Sequence, residues 1–518
     1  MKTPFRPEDL CLYKTITDLD CGRASEIAAC TVQHIDRDSD RASSAIWLIP
    51  LDGRSPLQLT QGDSDDVPRW SPDGSRLAFL SNRKGGRQVH LIDPLGGEAR
   101  QISRFASGAA SAEWAPDGRC IVLTGSQDDG DAQMRLWLYR LTDGSIFPLG
   151  DESLEIVSGQ AVHWAPDCSS IIALLARQGR QEIVAVSVPE GKITPLVTGD
   201  SQISMAACSA NRLVYVLQDA RTPNDVWCAD WRGQGRTRCT DFNPWWNDRM
   251  LPEVRVRRFD VPDGEGGSEQ VDGWLLRPAD TPVATPLLVD AHGGPASYVL
   301  LDFNMHVYWY VLVSRGWSVL AVNPVGSSSY GRPFSARLRQ RWGKYDLDQH
   351  LAAVDALRSE GLADERLAIA GKSYGGFLAA WAICNSSAFR AAVVCAPVTS
   401  LENHFGVSDS GYYADAYSML GGPPLNRQIM RELSPMDHVE NIRTPTLILQ
   451  GEADERCPKS QSEELYTGIM YSTDTNVEMV LYPGGDHHFF ETGKPSHRVD
   501  AVERQVGWVE RWIDVRKP

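Results

Sequence analysis

Three copies of one short pattern constrain the N-terminal half of the chain more than any other feature. "RWSPDGSRLAFLS" at 69–81, "EWAPDGRCIVLTG" at 113–125 and "HWAPDCSSIIALL" at 163–175 each join a Trp-x-Pro-Asp turn to an apolar strand. Their tryptophans, Trp70, Trp114 and Trp164, stand 44 and 50 residues apart, and a weaker fourth copy, "ACSANRLVYVL", follows at 207–217. Between the copies lie strand, glycine turn and strand signatures such as "IWLIPLDGRSPLQLT". A period of this length holding four strands is the mark of a β-propeller blade. Proline fixes φ and glycine tolerates positive φ, so Pro-Asp-Gly suits the tight hairpin such a blade needs. With one further blade beginning near residue 16, residues 1–248 hold about five blades of roughly 45 residues each. A β-sandwich with coincidental turns is the alternative, and three copies in register argue against it.

Beyond residue 248 the pattern changes. The apolar runs "TPLLVDAHGG", "GWSVLAVNP", "RLAIAGKS", "AAVVCAPV", "TPTLILQGEAD" and "VEMVLYPGGDH" alternate with helical stretches such as "DLDQHLAAVDALRSE". That alternation predicts, for residues 249–518, a mostly parallel sheet covered by helices on both faces. Ligand chemistry in such sheets collects at the carboxyl ends of the strands. The segment "FNPWWNDRMLPEVRVRRFDVPDG" reads as the junction, with Trp245 and Trp246 as packing between the domains.

Composition narrows the function. At 518 residues the chain exceeds one ordinary domain, and 42% apolar with 23% charged residues is ordinary for a globular protein. A net charge of −16 argues against nucleic acid and against an anionic membrane, both of which need a basic footprint. The N-terminus "MKTPFRPEDLCLYK" has no apolar core segment, and no run of about 18 apolar residues occurs, so the expectation is a cytoplasmic protein. Eleven cysteines without C-x-x-C or metal-ligand spacing read as reduced thiols, and no metal site is expected.

The chemistry centres on "LAIAGKSYGG", residues 367–376. Gly371-Lys372-Ser373 could end a phosphate-binding loop, but that loop wants a glycine five places earlier, where Arg366 stands. The other reading is a strand, a G-x-S-x-G turn and a helix, and "RLAIA" followed by "GFLAAWAIC" supplies both flanks. Ser373 is then a nucleophile that needs an imidazole base oriented by a carboxylate. On an α/β-hydrolase scaffold these follow in the order Ser, Asp or Glu, His. Asp454 lies just beyond the strand "TLILQG", and His487 lies in the turn "GGDHHF" after "VEMVLYP". Glu452 and Glu455 flank Asp454 and read as solvated, Asp486 is too near His487 in sequence to hold its ring, and His488 is the rival base. His404, His438 and His497 read as surface or packing residues. An oxyanion needs two donors: the backbone N–H of Tyr374 is one, and the loop "LLVDAHGGPAS", with Gly293 and Gly294, supplies the other.

These residues resemble the prolyl oligopeptidase family of serine peptidases, and most of all its acylaminoacyl-peptidase branch. The similarity rests on "HGGP" at 292–295, "NPVGSSSYG" at 323–331, "WGKYDLDQ" at 342–349, "GKSYGGF" at 371–377, "SPMDHVENIRTPTLILQGEADERCP" at 434–458 and "YPGGDHHF" at 482–489. The resemblance implies Ser373 as nucleophile, Asp454 as orienter, His487 as base, and the Gly294 and Tyr374 amides as the oxyanion hole. It also implies acyl transfer from peptide or amide to water without metal or organic cofactor, and a propeller that restricts the site to short substrates. Three departures stand out: Val325 replaces the arginine of the family's N-P-R-G-S motif, His488 stands where glycine is common, and the propeller is shorter than the seven blades of relatives.

The expected function is therefore a serine hydrolase that cleaves short peptides or acyl-peptides through an acyl-enzyme. An esterase, amidase or acyltransferase acting on a small molecule would use the same three residues. A non-catalytic propeller scaffold is the reading from another class, and the intact catalytic elements speak against it. The sequence permits a homo-oligomer and leaves the preferred residue beside the scissile bond open, although the aromatics of 402–422 are candidates to line an apolar subsite.

Overall fold

The strand runs of the N-terminal half fold into five small antiparallel sheets, each built from strands consecutive in sequence. The first spans Thr15–Cys21 to Leu57–Gln58, the second Asp65–Trp70 to Arg100–Gln101, the third Cys120–Gly125 to Ile146–Leu149, the fourth His163–Trp164 to Ile193–Val197 and the fifth Gln202–Cys208 to Thr237–Arg238. The computed structural model describes residues 2–513 apart from 23–25, 72, 84–87, 102–119, 126–130, 141–145, 158–159, 161, 166–168 and 210. Trp114 and most of the second repeat copy lie outside the described residues.

Continuous apolar runs rather than alternation mark the inner strands because neighbouring sheets cover both faces. Leu77–Ser81 is buried at every position, and Ser170–Arg177 at all but its two ends. One apolar layer joins the first and second sheets through Ile46, Trp70, Leu77 and Phe79. Others join the third to the fourth through Leu136, Leu149 and Leu175, and the fourth to the fifth through Leu174, Val197 and Tyr215. A further layer, with Ile16, Leu19, Cys30, Val214 and Val216, joins the fifth sheet back to the first and so closes the last blade on the first.

Among the described residues no strand is shared across that closure; side chains clasp it. The Tyr13 hydroxyl accepts from Asn224 Nδ2 at 2.7 Å, Ile16 N donates to Asn224 Oδ1 at 3.1 Å, and Asn243 bonds both the N–H and the carbonyl of Lys14. Trp246, fully buried, and Trp245 both lie against the Tyr13 ring, with centroids 6.1 and 6.5 Å away. The aromatic pair expected to pack between the domains thus packs at this closure, because Tyr13 comes from the opposite end of the propeller chain and brings an apolar face there.

Contacts within the chain define two units. Glu8–Gly125 with Met134–Asp248 is the propeller, and Arg249–Pro518 forms the other together with two segments from the N-terminal half, Met1–Pro7 and Ser126–Gln133. This second unit carries an eight-stranded sheet in the order Glu253–Pro262, Ser268–Arg277, Ser318–Val322, Thr285–Ala291, Ala363–Lys372, Ala391–Cys395, Thr446–Gly451 and Val477–Tyr482. The six apolar runs of the sequence are its six parallel strands. The antiparallel hairpin at one edge begins inside the segment that reads as junction: "EVRVRRFDVP" alternates charge with apolar side chains, as suits an edge strand with one wet face. Helix Tyr374–Asn385 is apolar all round and buried from Tyr374 to Cys384, which fits its place against three strands of the sheet. Among the described residues, no helix is long and apolar enough to cross a membrane.

Candidate active site

Strand Ala363–Lys372 ends at a turn that only certain residues tolerate. Ser373 has φ 61° and ψ −123°, outside the comfortable regions for a residue with a β-carbon, and it opens helix Tyr374–Asn385 directly. The glycines around it are fixed by crowding. A β-carbon at Gly375 would stand 1.9 Å from the Ala291 carbonyl oxygen, one at Gly371 2.2 Å from the Gly375 oxygen, and one at Gly376 2.5 Å from the Cys395 oxygen. The G-x-S-x-G-G string is therefore the condition for three backbones to meet behind one half-buried hydroxyl. The Ser373 side chain does not cap its own helix, so the first N–H groups, that of Tyr374 among them, keep their hydrogen-bonding capacity at the positive end of the helix.

Asp454 and His487 come from loops after the two neighbouring strands, Thr446–Gly451 and Val477–Tyr482. His487 Nδ1 donates to Asp454 Oδ2 at 2.8 Å, with the imidazole 12% and the carboxylate 0% exposed. The other carboxylate oxygen accepts from the backbone N–H groups of Arg456 and Cys457, each at 2.9 Å, and Gln450 Nε2 adds a bond to Oδ2 at 3.3 Å. With Nδ1–H directed at a carboxylate, the neutral ring leaves Nε2 unprotonated. Glu452 accepts from Gly484 N and stays on the surface, Asp486 accepts from His488 N, and the His488 ring is 64% exposed.

Ser373, Tyr374, Gly294 and His487 line one cavity of about 680 Å³, all of whose wall belongs to the hydrolase unit. The Ser373 hydroxyl faces Cys457 Sγ at 3.9 Å, and no hydrogen bond joins it to His487 among the described residues. The loop after Thr285–Ala291 approaches from the other side: a β-carbon at Gly293 would lie 3.5 Å from Ser373 Cβ, and Gly294 has φ +124°. His292 braces this loop, its Nδ1 donating to Gly293 O at 2.7 Å and its Nε2 accepting from the Ser327 hydroxyl at 2.9 Å. Burial pushes His292 down to about 4, so the brace is neutral. Val325 is buried, and its N–H donates to Gln349 Oε1 at 2.7 Å.

Several wall residues escape a reading of the sequence alone. Helix Phe303–Ser314 contributes Tyr308 and Trp309, which both donate to the buried carboxyl of Asp290. Burial raises Asp290 to about 7, against the lowering effect of those two bonds. His404, expected on the surface or in packing, is buried in the cavity wall: Nδ1 lies 2.7 Å from Asp415 Oδ2 and Nε2 2.8 Å from Arg456 O. Both ring nitrogens face acceptors, so the ring is an imidazolium. Burial is the largest single influence and opposes that charge, but Asp415 and Cys457 together outweigh it and raise His404 to about 10. Of the aromatics in 402–422, Tyr413 and Tyr417 line the cavity, while Tyr412 is 66% exposed. A histidine in a polar helix carries no signal of its acid partner eleven residues on. Among the described residues, no group of three or more His, Cys, Asp or Glu side chains is gathered closely enough to hold a metal ion.

The chain is similar to known proteins. Residues 302–516 match the profile of the prolyl oligopeptidase family, and residues 35–212 that of the TolB beta propeller domain. The first of these spans carries a prolyl oligopeptidase family domain. The chain is 26% identical to the uncharacterized peptidase YuxL of Bacillus subtilis, an alignment covering 99% of this chain and all of that one. It is 23% identical to the acylamino-acid-releasing enzyme of Homo sapiens over 85% of this chain, which spans 63% of the human enzyme's length. An acylaminoacyl peptidase of Pyrococcus horikoshii has the same fold, with a TM-score of 0.80 at 20% identity over 99% of this chain and 98% of that one. By family this is a serine peptidase, and Ser373, Asp454 and His487 all fall inside the matched span.

Proposed function

We propose that the chain hydrolyses short peptides or acyl-peptides, with Ser373 as nucleophile, His487 as base, Asp454 as orienter and the backbone amides of Gly294 and Tyr374 as oxyanion donors. The observation that carries this reading is the 2.8 Å bond from His487 Nδ1 to a fully buried Asp454, in a residue that shares its cavity with the strained Ser373. As Oγ attacks the scissile carbonyl, His487 Nε2 takes its proton, and Asp454 stabilises the imidazolium so formed. The negative oxygen of the tetrahedral intermediate lies at the start of helix Tyr374–Asn385, where Tyr374 N–H and the Gly294 loop can donate; each such donor is typically worth about 3 kcal/mol. Collapse passes the proton from His487 to the leaving amine. Water then repeats the sequence on the acyl-enzyme and frees Ser373.

For Oγ to meet Nε2 the hydroxyl turns away from Cys457, a rotation about one side-chain bond; such bonds often tighten only when substrate is in place. A cavity of about 680 Å³ suits a ligand of a few residues. Its aromatic wall of Tyr308, Trp309 and Phe490 suits an apolar side chain beside the scissile bond. We place the activity in the cytoplasm, in keeping with nine described cysteines that are all free thiols.

A fluorophosphonate together with an acyl-peptide assay tests the assignment. Labelling should vanish and kcat fall by about 10⁶ in Ser373→Ala. Asp454→Asn should keep its fold and lose about 10⁴ in kcat through the wrong imidazole tautomer. Undiminished labelling of Ser373→Ala, or near-normal turnover by Asp454→Asn, would refute these roles.

A further inference from the structure

A second cluster of reactive side chains sits in the fifth blade of the propeller unit. Cys228, in strand Asp225–Asp230, stands opposite Thr237 in an antiparallel ladder, and Cys239 follows two residues later on the same face. Cys239 N donates to Val226 O at 2.8 Å, which holds the chain to its neighbour beyond the last ladder pair. The two thiols are thus diagonal neighbours, and the Cys239 thiol donates to the Thr237 carbonyl at 3.6 Å, beside Cys228 on the same face. Arg212 Nη1 donates to the same sulfur at 3.6 Å, while Arg212 Nε pairs with Glu26 of the first blade at 3.2 Å.

A guanidinium on the sulfur and a thiol beside it favour its thiolate. The neighbouring Cys239 thiol is the largest influence; burial opposes it, Arg212 adds to it, and Cys228 is pushed down to about 6. Cys30, in the same apolar layer, shows what happens without such neighbours: burial holds its thiol well above the ordinary range. Cys239 is half-buried, so a small oxidant can approach the pair from that side.

We propose that Cys228 and Cys239 form an oxidisable pair that a hydroperoxide converts into a disulfide. The Cys228 thiolate attacks one oxygen of hydrogen peroxide, the O–O bond breaks, hydroxide leaves and Cys228 becomes a sulfenic acid. The Cys239 sulfur gives up its proton and attacks the Cys228 sulfur; the S–S bond forms, the S–O bond breaks, and the departing hydroxide takes up a proton as water. In sum the two thiols lose two electrons and two protons, and one peroxide becomes two waters. Diagonal neighbours are slightly far apart for a relaxed disulfide. Here the strand that must shift, Thr237–Arg238, is two residues long, lies at the sheet edge and has an exposed first residue.

The test uses the reduced full chain exposed to a few-fold excess of hydrogen peroxide, then alkylated and digested with trypsin. The expected product joins the peptide 222–232 to the peptide 239–249, two hydrogens lighter than their sum, while Cys30 remains unoxidised. In Cys239→Ser the sulfenic acid on Cys228 should persist and react with a cyclic 1,3-diketone. Arg212→Met should slow linkage about tenfold at pH 5, where a rise of about one pKa unit cuts the thiolate fraction about tenfold, and Arg212→Lys should restore it. Recovery of Cys228 and Cys239 as separately alkylated peptides after peroxide would overturn the proposal, as would absence of any diketone adduct on Cys228 in Cys239→Ser. The linked peptide is read in the unmutated chain, so a variant that fails to fold does not decide the outcome.

Discussion

Gly375, in the first turn of helix Tyr374–Asn385, and Gly53, in a turn of the propeller, stand in opposite physical situations. A β-carbon at Gly375 would lie 1.9 Å from a backbone oxygen, whereas one at Gly53 would meet nothing within 4 Å. Gly53 has φ +89° and serves only to turn the chain after strand Arg41–Pro50. The contrast extends to whole units. Around Ser373 three backbones converge, so each residue is specified by several neighbours at once. In the propeller each blade needs only two apolar faces and a turn, so many residues would serve. That is why the propeller repeat can drift until its fourth copy is barely visible while "GKSYGG" cannot.

The largest effect that sharpens this contrast comes from Gly375→Ala. The added methyl must displace the Ala291 carbonyl, which ends the strand leading into the His292–Gly294 loop. A shift of about 1 Å in reacting groups can cost about 10² in rate, so kcat/KM for an acyl-peptide should fall at least that far. Circular dichroism should still report the propeller's strands, because that unit has its own apolar layers. A variant with normal turnover would mean that the close approach is not needed to hold the elbow.

The same contrast explains how much of the fold and site is legible in the sequence. The six parallel strands are legible because each is a run of apolar, mostly β-branched or small residues ended by a glycine or proline. The elbow is legible because G-x-S-x-G between such a strand and an apolar helix has one stereochemical use. Asp454 and Asp486 are separable by their distance along the chain from His487. His487 and His488 are not separable by sequence, since one residue's difference in a turn sends one ring to Asp454 and leaves the other 64% exposed. The cavity wall is illegible for a related reason. Tyr308 and Trp309 sit in an unpatterned apolar helix, and only its placement beside Asp290 tells which side chains face the site. Trp245 and Trp246 are misplaced by sequence reasoning because their partner, Tyr13, lies more than two hundred residues away along the chain.

A middle-sized effect belongs to Lys372 and Glu491. Lys372, immediately before Ser373, pairs with Glu491, four residues beyond His487, and the two side chains are 20% and 13% exposed. The pair ties the strand that carries Ser373 to the loop that carries His487, so its work is positional. Glu491→Gln and Lys372→Met should each lower kcat by about ten- to a hundredfold with a smaller change in KM, since each frees the loop and leaves one charge half-buried without its partner. The exchanged double variant, Lys372→Glu with Glu491→Lys, should recover most of the lost kcat. If the double variant is as poor as the worse single, the lysine charge acts on the reacting atoms directly and the tie is incidental.

The smallest effect is predicted for Gly53→Ala, and it is the one that isolates conformation from contact. With open space around the new methyl, the only cost is holding an L-residue at φ +89°, about 1 kcal/mol. In a unit of this size that should lower the propeller's melting temperature by about 2–4 °C. Turnover and fluorophosphonate labelling should be unchanged, because the hydrolase wall of the cavity contains no residue of this turn. A loss of activity in Gly53→Ala, comparable with that in Gly375→Ala, would mean that blade geometry feeds into the catalytic cavity. The tolerance argued for the propeller would then be a property of its sequence repeat and not of its function.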